Sequence, residues 1–481
     1  MIADLKPYAE YKESGSRWLG RVPSHWEAVP LGRLLVQRIE QNRPIKTKDI
    51  LSLTLHQGVI PYSEKKSGGN KAKSDLSAYT LAYPGDIVLN SMNVVVGSVG
   101  LSKYFGAVSP VYYVLCARSS AGSIRFFDVM FQDRSFQQSL WGLGNGIMVL
   151  QSKTTGKLNT IRMRIPMSSL RRVVIPYPEP DEQAAIVRFL DWANGRLEWA
   201  IRAKRKVIAL LGEQKQAIIH HAVTRGLDPT VPLKPSGIPW LGDIPQHWEV
   251  RRAKQVCSAI IDCKNRTPDM VDGGEYVVVR TTNIRNGRFK RKGSYSTNRR
   301  NFEIWTQRGA PRPGDVFFTR EAPVGEACLV PDEQNLCMGQ RMMYFRPNIA
   351  LLNGEFLLNS IYGPVVRRYI EIEANVSTVG HLRLGQVSAL PLLWCPIEEQ
   401  REIVSRVAAE SAPVNTAISR LEREIELLRE YRTRLVADVV TGKLDVRGAS
   451  LHLPDEAPPD PAEDDADLST DPDASDEEAG Q

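Results

Sequence analysis

One long segment is written twice in this chain at a constant offset, and no other feature constrains the fold as much. The first copy opens at Glu182-Gln183 and closes on Thr224-Arg-Gly-Leu-Asp228; the second opens at Glu399-Gln400 and closes on Thr441-Gly-Lys-Leu-Asp445. The offset is 217 residues at both ends, so nothing is inserted or lost between them. A segment held to constant length measures something.

Both copies read as long helical arms. In the second, apolar residues fall at Ile403, Val407, Val414, Ile418, Leu421, Ile425, Leu428, Leu435 and Val439, mostly on alternating three- and four-residue steps. That spacing keeps a narrow stripe facing a partner helix, as in a coiled-coil seam. The first copy places Ile186, Leu190, Leu197, Ile201, Lys204, Ile208, Leu211, Ile218 and Ala222 in the same register, and Lys215 matches Arg432 as a shared basic interruption. Two matched stripes in one chain predict arms packed against each other, and forty helical residues span about 60 Å. Pro413 stands where helix interiors exclude proline, and Asn194-Gly195 falls at the matching place, so a kink or restart is expected in both arms.

A second repeat precedes each arm. Ser14-Gly-Ser-Arg-Trp-Leu-Gly-Arg-Val-Pro-Ser-His-Trp-Glu27 recurs as Ser236-Gly-Ile-Pro-Trp-Leu-Gly-Asp-Ile-Pro-Gln-His-Trp-Glu249, at an offset of 222 residues. Docking of the tryptophan rings onto an apolar surface is the expected role of this motif, ahead of base stacking. The chain is thus two tandem units, each an opening motif, a middle and an arm.

The middles mix strand-like runs (Asp86–Leu89, Val111–Leu115, Tyr276–Val279, Asp315–Phe318) with expected helices at Arg125–Gln138 and Leu351–Glu371. Each carries a Pro-Gly-Asp turn before a strand, at Pro84-Gly85-Asp86 and Pro313-Gly314-Asp315; elsewhere they differ widely. The resulting fold class is α+β. Two mixed globular domains, residues 1–175 and 229–395, alternate with arms at 176–228 and 396–447, and a tail occupies 448–481. Parts kept alike twice in one chain meet the same kind of partner twice. Parts that differ serve different ligands.

Charge indicates the ligand. The formal net charge is +7, yet residues 451–481 hold twelve acidic residues and no Lys or Arg. Without them 62 basic residues face 43 acidic ones, a body suited to a polyanion. The tail is too charged to fold alone. No run is long and apolar enough for a membrane span and no signal segment opens the chain, so a cytoplasmic protein is expected. The six cysteines form no C-x-x-C pair, and scattered reduced thiols are expected with no metal site.

Catalytic machinery is hard to find. Gly156-Lys157-Leu158 lacks the glycine spacing of a phosphate loop. Ser109-Pro110-Val111-Tyr112 lacks the second proline of an adenine methyltransferase loop. Pro268-Asp269 with Glu275-Tyr276-Val277 lacks the lysine of a metal-dependent nuclease. The chain reads as non-catalytic.

The paired Trp-Leu-Gly…Pro-x-His-Trp-Glu motifs and the paired Glu-Gln-initiated arms ending in Thr-x-x-Leu-Asp resemble the specificity (S) subunit of type I restriction–modification systems. Gly106-Ala-Val-Ser-Pro-Val-Tyr-Tyr113, Ala322-Pro-Val-Gly325 and Gly339-Gln-Arg-Met-Met343 carry the same likeness. The acidic tail and Pro413 depart from that pattern. The resemblance implies two target-recognition domains, each reading half of a bipartite site in double-stranded DNA. It implies antiparallel arms forming a coiled-coil spacer with pseudo-twofold symmetry, which dock two methyltransferase (M) subunits and restriction (R) subunits. No cofactor is expected in this chain; S-adenosylmethionine, ATP and Mg2+ would be used by those partners. The alternative is a nucleic-acid-binding scaffold with coiled-coil arms, unrelated to restriction.

Phosphate contacts call for Lys and Arg, and base edges for Arg, Asn and Gln. On that basis the first middle offers Lys65, Lys66, Lys71, Lys73, Asn90, Asn93 and Lys153. The second offers Arg280, Asn283, Arg285, Arg288, Lys290, Arg291, Arg299, Arg300, Arg320, Gln340 and Arg341. Arg320, Gln340 and Arg341 stand out because they lie within the family-like motifs.

Overall fold

The computed structural model describes residues 5–54, 57–65, 75–118, 121–144, 150–151, 158–159, 164–333, 335–374 and 380–454. The chain divides into two compact units, and neither is contiguous in sequence. Unit 1 holds Met1–Ser152, Lys157–Lys204 and Arg423–Gln481; unit 2 holds Lys153–Gly156 and Arg205–Glu422. The division falls midway along both arms, so each unit contains half of each.

The arms are helices at Pro180–Arg225 and Ile397–Val440, of 46 and 44 residues. Neither restarts. Helix runs unbroken through Asn194-Gly195 and through Pro413, so the restart in that expectation is not met. Proline deletes a single i→i−4 bond there, and the turns on either side are held by the buried Val407 and Val414.

Within unit 1 the two arm halves run antiparallel. Arg432 Nη1 donates to Glu198 Oε2 at 3.1 Å, Lys204 pairs with Glu424, and Arg188 Nη2 reaches the Leu453 carbonyl at 3.3 Å. Ile186, Leu190, Leu197, Ile201, Ile425 and Leu435 are buried, and Leu428 is half-buried. Unit 2 repeats the arrangement: Lys215 Nζ donates to Asn415 Oδ1 at 3.0 Å, and Ile403 and Val407 share a core with Ile219, Ala222 and Val223. Ile208, Leu211, Ile218, Ile418 and Leu421 are half-buried. Near the end of the first arm the buried stripe has rotated by one residue, from Ile218 to Ile219, because the helix there faces a globular core rather than a helix alone.

Each unit carries a four-stranded antiparallel sheet of the same order. In unit 1 it runs Leu35–Arg38, Tyr112–Ala117, Ile87–Asn90, Val99–Leu101; in unit 2, Cys257–Asp262, Met342–Pro347, Val316–Thr319, Ala327–Leu329. Each expected single helix proves to be two. Ile124–Phe131 and Arg134–Ser139 are divided where Asp133 caps the second, accepting from Phe136 N. Gly354–Tyr362 and Pro364–Ala374 divide at Gly363 and Pro364. Unit 2 adds a three-stranded sheet of Tyr295–Thr297, Tyr276–Val279 and Leu336–Met338.

The Pro-Gly-Asp turns do the same work twice. Gly85 and Gly314 adopt φ of 90° and 87°, a region that favours glycine. The aspartates that follow are buried and gripped by a bidentate arginine: Arg38 to Asp86 at 2.8 and 3.0 Å, Arg346 to Asp315 at 3.0 and 2.7 Å. The strand supplying the guanidinium differs between units, while the carboxylate keeps its place.

The opening motifs and the Glu-Gln pairs prove to be one device. His25 Nε2 lies 2.9 Å from Glu182 Oε2, and His247 Nε2 lies 2.8 Å from Glu399 Oε2. Next to each glutamate a fully buried glutamine stitches the arm to its unit. Gln183 accepts from Ser123 N and donates to the Ala121 and Pro178 carbonyls. Gln400 accepts from Asn353 N and donates to the Leu351 and Cys395 carbonyls. Trp26 and Trp248 are fully buried, as the docking role requires; Trp240, by contrast, stays largely exposed. The end of the opposite arm closes on the same ring: Gly442, at φ 77°, lies against Trp26, and Gly226, at φ 73°, against Trp248. A side chain at Gly442 would meet Pro23 Cδ at 2.4 Å, which accounts for that glycine.

The ordered body extends past the expected start of the tail at 448. A short helix at Arg447–Leu451 leads to Leu453, which is buried in the core of unit 1. Residues 455–481, most of the acidic tail, lie outside the described residues.

Candidate nucleic-acid interface

In unit 2 a short hairpin sets two arginines side by side. Ile284–Arg285 pairs with Arg288–Phe289 across Asn286-Gly287, whose φ values of 49° and 78° are those of a two-residue type I′ turn. The tip is anchored. Asn286 N donates to Glu326 Oε2 at 2.7 Å, Gly287 N to the Tyr362 hydroxyl at 2.8 Å, and that hydroxyl to Glu326 at 2.9 Å. The arm joins the same cluster, since His220 Nε2 lies 3.2 Å from the Tyr362 carbonyl oxygen.

Arg285 and Arg288 are direct cross-strand partners, and both are exposed. Like charges so placed repel, and a bound polyanion relieves that repulsion. Arg280, Lys290, Arg291 and Arg300 are exposed as well, with Arg291 held 2.9 Å from Glu333 and Arg299 held 2.8 Å from Glu303. Lys215 on the arm adds another cation: burial and the charge of Arg288 hold its pKa below the ordinary lysine range.

Asn283 is not part of that surface. It is fully buried, its Oδ1 accepts from Arg280 N, and its Nδ2 donates to the Lys290 and Lys292 carbonyls. It shapes the loop and presents nothing to a ligand. Arg320 is corrected likewise. Its side chain is only 14% exposed and bonds Asp262 Oδ2 at 3.0 Å, so it supports the surface from beneath. Gln340 and Arg341 do lie on the surface, at the end of the sheet where Thr319 pairs with Met342.

In unit 1 the corresponding sheet end is quieter. Asn90 and Asn93 are half-buried, and Asn90 Oδ1 accepts from Met92 N. Ser91 bonds the Val111 carbonyl, and Arg164 Nε donates to the Tyr113 hydroxyl at 3.3 Å. Lys65 is half-buried; Lys66, Lys71, Lys73 and Lys153 lie outside the described residues.

Sequence reasoning missed the acidic and histidine partners of this surface, Glu326, Glu321 and His381, because only basic and amide side chains had been sought. It also passed over Asn286-Gly287, a strong hairpin signal between Arg285 and Arg288.

Other features set limits on function. Among the described residues no helix is long and apolar enough to cross a membrane. Burial pushes the thiols of Cys257, Cys328 and Cys337 up to about 12, which leaves them poor nucleophiles at neutral pH.

Residues 245–427, which cover the middle of unit 2 and most of the second arm, match the family model of the type I restriction modification DNA specificity domain. The whole chain is similar to a type I restriction enzyme MjaX specificity subunit of Methanocaldococcus jannaschii, at 20% identity over 455 residues, covering 91% of this chain and 98% of the relative. Its fold is similar to that of a chain from a structure of complex assembly and conformational transition of the type I R-M system. The TM-score there is 0.54 at 16% identity, with 88% of this chain and 99% of the other covered. The HsdS subunit from Thermoanaerobacter tengcongensis aligns over 88% of this chain and 98% of its own, at 16% identity and a TM-score of 0.40.

Proposed function

With a type I restriction modification DNA specificity domain at 245–427 as premise, we infer that the chain is the DNA-specificity subunit of a type I restriction–modification system. One observation carries the extension from that segment to the whole chain. The anchor of His247, Trp248, Glu399 and Gln400 is rebuilt in unit 1 by His25, Trp26, Glu182 and Gln183, with the same hydrogen-bond pattern at the histidine and the glutamine. Unit 1 is therefore a second specificity domain whose sequence has drifted.

In this reading each unit recognises one half of a bipartite site in double-stranded DNA. The chain performs no chemistry itself. Two methyltransferase subunits, and restriction subunits in the larger assembly, supply it with S-adenosylmethionine, ATP and Mg2+. The basic hairpin of unit 2 holds phosphates: neutralising Arg285, Arg288 and Arg291 together weakens binding to every sequence and flattens its salt dependence. The constant arm length sets the spacer between half-sites.

The test is methylation profiling of DNA from cells expressing the chain with its methyltransferase partner. A two-part motif with a fixed spacer is expected. A few residues inserted into both arms should change the spacer and keep both half-sequences. A contiguous motif, or none, would overturn the reading.

A further inference from the structure

One end of the four-stranded sheet in unit 2 holds a charge arrangement that neither folding nor phosphate binding explains. Arg341 sits directly before the strand Met342–Pro347 with φ of 72°, a left-handed conformation that arginine rarely adopts. Its Nε lies 3.3 Å from Glu321 Oε1, with the Arg341 side chain 45% and the Glu321 side chain 22% exposed. The other carboxylate oxygen of Glu321 lies 3.5 Å from His381 Nδ1, and Glu321 and His381 also form a backbone bridge.

Beneath this pair the support is rigid. Arg320 N donates to the Arg341 carbonyl at 3.1 Å, and Leu382 N donates to the Arg320 carbonyl at 3.0 Å. The Arg320 guanidinium is in turn held by Asp262. A half-exposed ion pair contributes little to stability, less than the left-handed backbone at an arginine costs. The geometry therefore serves something other than folding. A phosphate clamp is a poor fit as well, because the Glu321 carboxylate repels a phosphodiester.

Base edges fit better. Guanine offers N7 and O6, a pair of acceptors matched to one guanidinium, and the paired cytosine offers the N4 amino group as a donor. With Nε turned toward Glu321, the two Nη groups of Arg341 form no hydrogen bond to protein among the described residues. We propose that Arg341 reads a guanine in the half-site of unit 2, aimed by Glu321, whose carboxylate faces the cytosine amino group of the same base pair. Arg320 and Asp262 are positioning residues for this reader. The assignment rests on the chain being a DNA-specificity subunit.

The test uses the complex with its methyltransferase subunits and methylation profiling. Two variants are compared, Arg341→Gly, which tolerates the positive φ, and Arg341→Lys, which keeps the charge and loses the bidentate fork. In both, discrimination for guanine at one position of one half-site should fall roughly tenfold or more, with the other half-site and the spacer unchanged. Glu321→Gln should relax the same position. A uniform loss of methylation in Arg341→Gly with full retention in Arg341→Lys would make Arg341 a phosphate contact and overturn the assignment. A two-part motif unchanged in both variants would overturn the assignment alone. Absence of a two-part motif in the wild-type complex would overturn the reading of the whole chain.

Discussion

The two units meet the same requirement, holding the glutamate that opens an arm, with different atoms. In unit 2 the Trp248 indole donates to Glu399 Oε1 at 2.9 Å while His247 takes Oε2. In unit 1 the Tyr8 hydroxyl donates to Glu182 Oε1 at 2.7 Å while His25 takes Oε2, and the Trp26 indole N–H is buried without a partner. At the 222-residue offset, Tyr8 corresponds to Thr230, whose hydroxyl donates to Asp228 Oδ1 instead. A repeat preserves the charge that must be satisfied more strictly than the group that satisfies it. The buried aspartates teach the same lesson, with Arg38 and Arg346 approaching from different strands.

The largest test of this equivalence lies at the buried glutamines. Gln400→Ala leaves Asn353 N and the Leu351 and Cys395 carbonyls without their side-chain partner. A loss of about 2–4 kcal/mol in unit 2 is expected, and a similar loss in unit 1 for Gln183→Ala, read by denaturant unfolding. A marked inequality would break the parallel.

A charge present in one unit only gives the next effect. At the offset that aligns Ser123 with Asn353, Asp128 of unit 1 stands where unit 2 has Leu358. Burial pushes the Asp128 carboxyl up to about 6, and its Oδ1 has no partner. A carboxyl whose pKa is higher folded than unfolded favours folding below the unfolded value. That advantage is lost as pH rises from about 4 to about 6. Asp128→Asn should remove this pH dependence and stabilise unit 1 by about 2 kcal/mol at neutral pH, measured as Tm against pH; an unchanged profile would count against the burial argument.

The tryptophans follow. Trp248→Phe gives up a hydrogen bond to Glu399 and Trp26→Phe gives up none, so the first should cost about 1 kcal/mol more than the second. Equal losses in unfolding would show that the indole contact to Glu399 contributes nothing.

The smallest effect concerns the arms. Arg432 has Glu198 as its partner, whereas Lys215, at the matching position, donates to the neutral Asn415. Asn415→Glu should stabilise unit 2 by about 0.5 kcal/mol. If the uncompensated charge of Lys215 assists the neighbouring hairpin, the same change should weaken DNA binding at low salt.

Much of this was legible in the residues. Helical periodicity announced the arms, and the repeated motifs marked the anchors because holding the glutamate that opens each arm needs specific groups. Pro-Gly-Asp located both strand starts to within a residue. The site was less legible. Asn283 and Arg320 have the chemistry of base readers, but burial, which depends on distant strands, turned them into supports. Glu321 and His381 lie sixty residues apart in sequence and meet only through the fold. Proline at 413 suggested a break by local rules, and the packing of Val407 and Val414 overruled them.

The division of both arms also sets an order of synthesis. Every segment that builds the core of unit 2 lies between Ile219 and Val407. Unit 1 needs Leu435, Val439, Val446 and Leu453 for its own core, all of them made after the last core residue of unit 2. The half that leaves the ribosome first is thus the last to close. Until residues 435–453 have been made, Trp26 and its apolar neighbours wait without that cover, a longer window for chaperone capture or aggregation than the one Trp248 spends waiting for Val407.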